Sequence, residues 1–395
     1  MSRIVFFGIP ANGHTNPTIG VVRALTNRGH KVRYYSFDMF RDKIEAVGAQ
    51  FVSCDAYLPP APADLERRQQ YDFTSLFGML ARLTISMGAS VCGELQEFNP
   101  NCIVSDSLSI WGKLYARKMS IPMICSTTSF AFNSVTAKLI KPGFRELYYT
   151  LTGIFKMDKY IKLLRQHGYE ARNITDLIQN DNETDTIVYT SRDFQPSNET
   201  FSDKFVFIGP SVPGVLVERI RKERPLIYIS SGTVLNNPNF YQSCVKALKD
   251  NSFDVIMSVG SEKNVALLQN IPGHFRVKAS VPQLELLQNT DVFITHCGMN
   301  SVSESIYFEV PMVLMPQHSE QNVVARRAQE VGVGIRPNSG KPKDIKIAVE
   351  QILGNKEQYR KNLRIMADSF RSSGGSERAA DKIEEVIVRR QITSN

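Results

Sequence analysis

The sequence lacks the marks of a secreted or membrane-embedded chain. Near its start one positive charge, Arg3, precedes an apolar run from Ile4 to Gly8 that is too short for the core of a signal peptide. No uncharged stretch is long enough to span a bilayer, so a cytoplasmic location is expected. Without a secretory signal, the Asn-x-Thr triplets at Asn173, Asn182 and Asn198 carry no weight as glycosylation sites. Cysteine is sparse and scattered. Cys54, Cys92, Cys102, Cys125, Cys244 and Cys297 read as reduced, buried thiols. Zinc-finger spacing and an aromatic-rich RNA-binding signature are both absent, which argues against nucleic acid as a partner. His30, His167, His274 and His318 show no ligand-like spacing, and no metal site is expected. With 42% apolar and 22% charged residues, disorder and low complexity are excluded as well.

What is present is a chain of 395 residues, enough for two or three domains, with a net charge of +8 from 47 Lys and Arg against 39 Asp and Glu. That balance favours anionic partners without choosing among them; the plainer reading is a mildly basic enzyme. Apolar runs at 3–9, 31–37, 50–53, 102–105 and 121–125 alternate with helical patterns, the first from Asn16 to Arg28. This is the βαβ rhythm of a parallel sheet covered on both faces. The rhythm restarts at about residue 225, with strand-like runs at 225–230, 253–257, 291–295 and 311–315 and helices near 239–249, 300–309 and 319–330. The expected fold is therefore α/β, with two tandem Rossmann-like, doubly wound domains facing across a cleft that holds the site. Residues 1–212 form the first domain, 213–224 a linker, 225–372 the second domain, and 373–395 a final helix packing back toward the first.

The chemistry concentrates in the second half. Asp291 to Glu304 reads as a strand, a tight glycine turn at Gly298 and a helix start near Asn300. Such a junction aims unpaired N–H groups and the positive end of a helix dipole past the strand end, which makes a phosphate seat. His296, Asn300 and Ser301 add side-chain donors, and Glu304, one turn in, can accept from two vicinal ribose hydroxyls. Pro316 to Gln321 forms another polar cluster at a strand end, suited to sugar hydroxyls. Val281, Pro282 and Gln283 lie upstream, after the strand-like run 275–279.

Taken in order, Val281-Pro282-Gln283, the run His296 to Ser301, and Pro316 with Glu320-Gln321 resemble the nucleotide-sugar motif of family 1 UDP-glycosyltransferases, above all the bacterial macrolide and flavonoid enzymes. The resemblance covers most of the chain. The loop Gly8 to Pro17, Phe194-Gln195-Pro196, Phe207 to Ser211 and the turn Ser230 to Thr233 match in sequence order. It implies a GT-B architecture, no metal and no cofactor beyond the UDP-sugar co-substrate, with the donor held by the second domain and the acceptor by the first. Carried over by position, the Val281 main chain holds uracil, Gln283 lies near the ribose and Glu304 binds its hydroxyls. Gly232, Thr233, His296, Gly298, Asn300 and Ser301 serve the diphosphate, and Glu320 and Gln321 the hexose. One position departs from the pattern. Ser280 stands where many members carry a Trp that stacks on uracil, a contact worth roughly 1 to 3 kcal/mol by analogy with other base stacking.

His14 follows the first strand and a glycine turn, so it faces the crevice above the sheet or merely begins a helix. Asp106 ends another strand of the same domain and can converge on it, and the family pairs a His and an Asp at these places. Together they suit a general base and the carboxylate that orients it. For the acceptor, Met79 and Leu83 on an apolar, Met-rich helical stripe, with Phe130, Phe132 and Asn133 beyond a strand end, are candidate lining; the stripe reads equally as plain core.

The leading expectation is an inverting transfer of a hexose, glucose by preference, from UDP-sugar to a hydroxyl of a hydrophobic small molecule such as a phenolic, macrolide or sterol, carried out by a monomer. A basic, aromatic region at 138–165, including Lys138, Lys141, Lys159 and Lys162, keeps a membrane-associated glycolipid transferase as the alternative, although membrane contact is not expected. A GT-B-shaped binding protein without catalysis is a third reading, opposed by His14, Asp106, Glu304 and Gln321. A nicotinamide dehydrogenase is disfavoured because the first loop lacks Gly-x-Gly-x-x-Gly.

Overall fold

The computed structural model describes residues 1–58, 73–141, 153, 157–178, 182–212, 223–232, 238–250 and 252–394. The chain divides into two compact units. The first comprises Met1–Thr190, Ser197–Ser211 and Gly374–Asn395, and the second Ser191–Pro196 and Val212–Ser373.

The first unit is built on a seven-stranded parallel sheet. Its strands are β1 (Arg3–Phe7), β2 (Lys31–Ser36), β3 (Gln50–Ser53), β4 (Cys102–Asp106), β5 (Met123–Thr127), β6 (Thr186–Val188) and β7 (Phe205–Phe207), in the order β3-β2-β1-β4-β5-β6-β7. Strand order reverses between β1 and β4, whose Phe7 and Ser105 stand opposite each other. Every strand is parallel to its neighbours, so both faces must be covered, and β1 and β4 are accordingly buried almost throughout.

One covering helix, Phe73–Phe98, is long and apolar enough over Thr74–Phe98 to cross a membrane, although Arg82 keeps any uncharged run short. It serves as a core helix: Phe77, Leu80, Leu83, Met87, Val91 and Leu95 are buried against the sheet and its neighbours. Leu83, expected at the acceptor face, thus belongs to the core, and Met79 is half-buried against it. The reason is periodicity, since these positions fall on the one stripe that the sheet covers. Of the basic region, Lys138 and Lys141 lie on a short helical turn and its exit, and 157–166 form a helix; residues 142–152 and 154–156 are outside the described residues.

The second unit carries a six-stranded parallel sheet of β8 (Leu226–Ser230), β9 (Asp254–Ser258), β10 (Phe275–Lys278), β11 (Val292–Thr295), β12 (Met312–Leu314) and β13 (Gly334–Ile335), in the order β10-β9-β8-β11-β12-β13. Here the reversal falls between β8 and β11. The segment Ser191–Pro196, expected within the first domain, is part of this unit. Arg327 donates to the carbonyls of Asp193 and Phe194 at 2.7 and 3.1 Å, Ser369 donates to the Asp193 carboxylate at 2.7 Å, and Phe194 packs on Phe370.

After the helix Lys356–Ser372 the chain returns to the first unit through Gly374 and Gly375, at φ +88° and +59°, a left-handed pair that glycine adopts without strain. The final helix, Gly375–Ser394, buries Ala379, Ala380, Ile383, Val386 and Ile387 in the first unit's core. Its outer face is tied down by charge. Arg28 reaches Glu377, Asp381 and Glu384 at 2.6 to 2.8 Å, and Asp185, buried at the edge of β6, takes Lys382 at 3.1 Å together with Arg389.

Removing one partner of a buried pair strands the other charge, which typically costs about 3 kcal/mol or more. Asp185→Ala is therefore expected to destabilise the first unit by up to about 3 kcal/mol, since the buried Lys382 then keeps only the exposed Glu385, at 3.1 Å. Urea unfolding followed by the fluorescence of Trp111, the chain's single tryptophan and a buried residue of this unit, reads that loss directly; an unchanged midpoint contradicts the anchoring role.

Candidate active site

In the first unit the site is assembled at the strand reversal. Beyond β1 the chain turns at Gly8, where a Cβ would press on the Tyr34 ring at 3.0 Å, and enters the helix Asn12–Asn27. This helix starts four residues before the amphipathic pattern predicts. Pro17 is accommodated inside it, at the loss of the one hydrogen bond its missing N–H would have made to Gly13. The early start places His14 on the first helical turn, directly above the sheet.

Asp106 is the last residue of β4. Its Oδ1 accepts from the Leu108 N–H at 2.8 Å, and its Oδ2 lies 2.8 Å from His14 Nδ1. Thr128, just past β5, brings its hydroxyl to 3.3 Å from the same nitrogen. The His14 side chain is 25% exposed and that of Asp106 only 3%, so the carboxylate is sealed beneath an imidazole that solvent reaches. An ionised carboxylate only accepts, so the proton resides on Nδ1 and the basic lone pair on Nε2. Ordinary sequence reading finds His14 and Asp106 but misses Thr128, because a threonine ending a β-branched run looks like strand.

The second unit builds its site at its own reversal. His296 follows β11, and its ring is held between two glycines. A Cβ on Gly232 would stand 2.8 Å from the ring and one on Gly298 2.6 Å, so both positions require the absence of a side chain. Between His296 and Gly298, Cys297 adopts φ +68°, a left-handed conformation rare for a non-glycine residue, with its N–H held by Thr295 Oγ1 at 3.1 Å. Gly298 then caps the helix Met299–Tyr307, leaving its first turn without a side-chain cap, so its N–H groups point outward as a seat for an anion. Asn300 and Ser301 occupy that first turn.

Burial, reinforced by the neighbouring His318, pushes the His296 pKa down to about 4, and its Nδ1 is buried without a partner. His296 is therefore neutral at pH 7 and offers hydrogen bonding rather than positive charge. His318, read from the sequence as a bystander, takes part through this effect. Burial has the opposite sign for Glu304, whose carboxyl is raised to about 7 and partly relieved by the Gln283 amide donating to Oε2 at 2.6 Å. Gln283 also lies 3.3 Å from Ser301 Oγ and accepts from the Tyr228 hydroxyl at 2.9 Å.

Val281 is half-buried beside an exposed Ser280, Gln321 is buried with its carbonyl oxygen accepting from the Gln317 N–H at 2.9 Å, and Glu320 is exposed. Thr233 lies outside the described residues. Among the acceptor candidates Phe130 is buried and Phe132 half-buried. Asn133 staples its own loop: its amide donates to Thr200 Oγ1 at 2.8 Å and its oxygen accepts from the N–H groups of Val135 and Thr136. It also borders an open cavity of about 590 Å³ with the polar residues Lys113, Arg172 and Asp176, into which none of the apolar acceptor candidates enters.

Two tandem parallel sheets, each with a polar site at its strand reversal, define a fold of the GT-B kind. Comparison with known proteins agrees. A family described as "Erythromycin biosynthesis protein CIII-like, C-terminal domain" matches residues 243–386. The chain is 32% identical to NDP-glycosyltransferase YjiC of Bacillus subtilis over 98% of both chains. It is 30% identical to an uncharacterized UDP-glucosyltransferase of the same organism, YojK, over the full length of both. Among solved structures, the calicheamicin glycosyltransferase CalG4 superposes with a TM-score of 0.79 at 27% identity, covering 98% of this chain and 99% of that one. The chain belongs to the family 1 glycosyltransferases, enzymes that take a sugar from a nucleotide-sugar donor.

The opposed shifts of Glu304 and His296 give a pH test. From about pH 4.5 to 7 the folded chain keeps the Glu304 proton that the unfolded chain has lost, so this group lowers stability as pH rises through that window. His296 acts the other way between about 4 and 6.5, where the unfolded chain gains a proton that the folded chain refuses. Glu304→Gln removes only the first effect. Its melting midpoint relative to the unsubstituted protein is expected to be higher at pH 8 than at pH 5; scanning calorimetry showing the same offset at both contradicts the buried, proton-hungry carboxyl.

Proposed function

We propose that this enzyme transfers glucose from UDP-glucose, with inversion and without a metal ion, to a hydroxyl group of a hydrophobic small molecule. The observation that carries the reading is the 2.8 Å pair of His14 Nδ1 and Asp106 Oδ2 at the strand reversal of the first unit. With Nδ1 holding its proton toward Asp106, Nε2 is the base. It takes the acceptor hydroxyl proton while the oxygen forms a bond to the anomeric carbon, and Asp106 stabilises the imidazolium that results. The bond from that carbon to the diphosphate oxygen breaks, and UDP leaves with the electron pair. Attack from the face opposite UDP turns an α-linked donor into a β-glucoside.

The leaving diphosphate is stabilised by the N–H groups at the start of the helix Met299–Tyr307, with Asn300, Ser301 and the neutral His296 as further donors. Glu304, beside Gln283, accepts the ribose hydroxyls, and Glu320 and Gln321 read the hexose. Glucose as the donor sugar is supported by the name of the Bacillus subtilis UDP-glucosyltransferase relative. A small-molecule acceptor is supported by the likeness to an erythromycin biosynthesis family and to the calicheamicin glycosyltransferase.

Incubation with UDP-glucose, a chelator and a panel of flavonoids, phenols, macrolides and sterols is expected to give monoglucosides by mass spectrometry; their absence across the panel removes the reading. His14→Ala is expected to lower turnover with alcohol acceptors by about a hundredfold or more while leaving UDP affinity unchanged. Turnover equal to that of the unsubstituted enzyme contradicts its role as the base.

A further inference from the structure

Behind the ribose-binding carboxylate lies a buried residue that neither the motif nor the reaction assigns. Tyr228, in the centre of β8, is 1% exposed. It stands directly opposite Phe293 of β11 in register, and their rings stack with centroids 4.6 Å apart and planes within 10°. The stack fixes the ring, and with it the direction of the hydroxyl. That hydroxyl donates to Gln283 Oε1 at 2.9 Å, and the Gln283 amide nitrogen donates to Glu304 Oε2 at 2.6 Å.

A primary amide has one accepting and one donating end, and a flip exchanges them. With the Tyr228 proton on the oxygen, the N–H₂ end faces Glu304 and supports its ionised form. With that proton removed, the amide is free to turn its oxygen toward Glu304, an arrangement satisfied only when the carboxyl is protonated. A protonated carboxyl serves poorly as an acceptor for two ribose hydroxyls. The sequence gives no hint of this, because a tyrosine in an apolar strand reads as core.

We infer that Tyr228 is a positioning residue for nucleotide recognition, acting through Gln283 to favour the ionised form of Glu304, the acceptor that distinguishes a ribose donor from its 2′-deoxy counterpart. The inference rests on the assignment of Glu304 to the ribose, and its test keeps the two apart.

The experiment compares UDP-glucose with 2′-deoxy-UDP-glucose as donors for the unsubstituted enzyme, Tyr228→Phe, Phe293→Leu and Glu304→Gln. In Tyr228→Phe, the UDP-glucose KM is expected to rise about tenfold, the size of one lost charge-assisted hydrogen bond. The KM for the deoxy donor should rise less, so that discrimination narrows, and kcat at saturating donor should hold. Phe293→Leu keeps the hydroxyl but loosens the stack, and is expected to lower the melting midpoint while retaining most of the discrimination. Discrimination that is unchanged in Tyr228→Phe, or that falls equally in Phe293→Leu in step with stability, overturns the positioning role. Discrimination that survives Glu304→Gln overturns the ribose assignment and the positioning role with it. Loss in Glu304→Gln without loss in Tyr228→Phe overturns only the latter.

Discussion

The reversal of strand order in each parallel sheet is the constraint on which the rest depends. Where neighbouring strands send their connections to opposite faces, no helix covers the gap between the strand ends, and side chains placed there meet a ligand instead of a neighbour. Between β1 and β4 that gap receives His14 from the following helix and Asp106 from the strand end. Between β8 and β11 it receives Gly232 from one side and the His296 to Ser301 turn from the other. The same topology thus places an imidazole–carboxylate pair in one unit and a helix start without a side-chain cap, beside a histidine, in the other. What differs is the residue type delivered to the gap.

Desolvation then sets what each group can do. The carboxylate of Asp106 is buried but provided with an N–H and an imidazole, so its charge is met by donors. Glu304 has one strong donor, the Gln283 amide, and its carboxyl is correspondingly raised to about 7. A ligand hydroxyl donating to it, as the proposed ribose would, supplies a further donor. His296 goes neutral under the same burial, so the proposed diphosphate would meet backbone dipoles rather than an imidazolium charge. Neutral donors fixed in place hold a diphosphate without the reorganisation that a flexible cation would need.

Much of this is legible in the sequence. The central strands β1, β8 and β11 carry uninterrupted apolar runs because both of their faces are buried, and the two motifs at the reversals carry their own glycines. The rest depends on contacts that no local pattern encodes. β6 and β7 are three residues each, too short for periodicity to register. The segment Ser191–Pro196 joins the second unit because Arg327, far along the chain, holds its carbonyls. Asn133 sits where a ligand contact is plausible, yet both ends of its amide are consumed by its loop. Tyr228 shows the converse difficulty: it reads as core, and only its neighbours show that its one polar atom is aimed at the site.

The most direct measurement is the ¹⁵N chemical-shift pattern of the His14 imidazole at pH 7. The Asp106 contact predicts that the neutral form of the ring carries its proton on Nδ1 and its lone pair on Nε2, with a shift toward a mixture of tautomers in Asp106→Ala. A ring protonated at Nε2, or a tautomer indifferent to Asp106, contradicts a base oriented by that carboxylate.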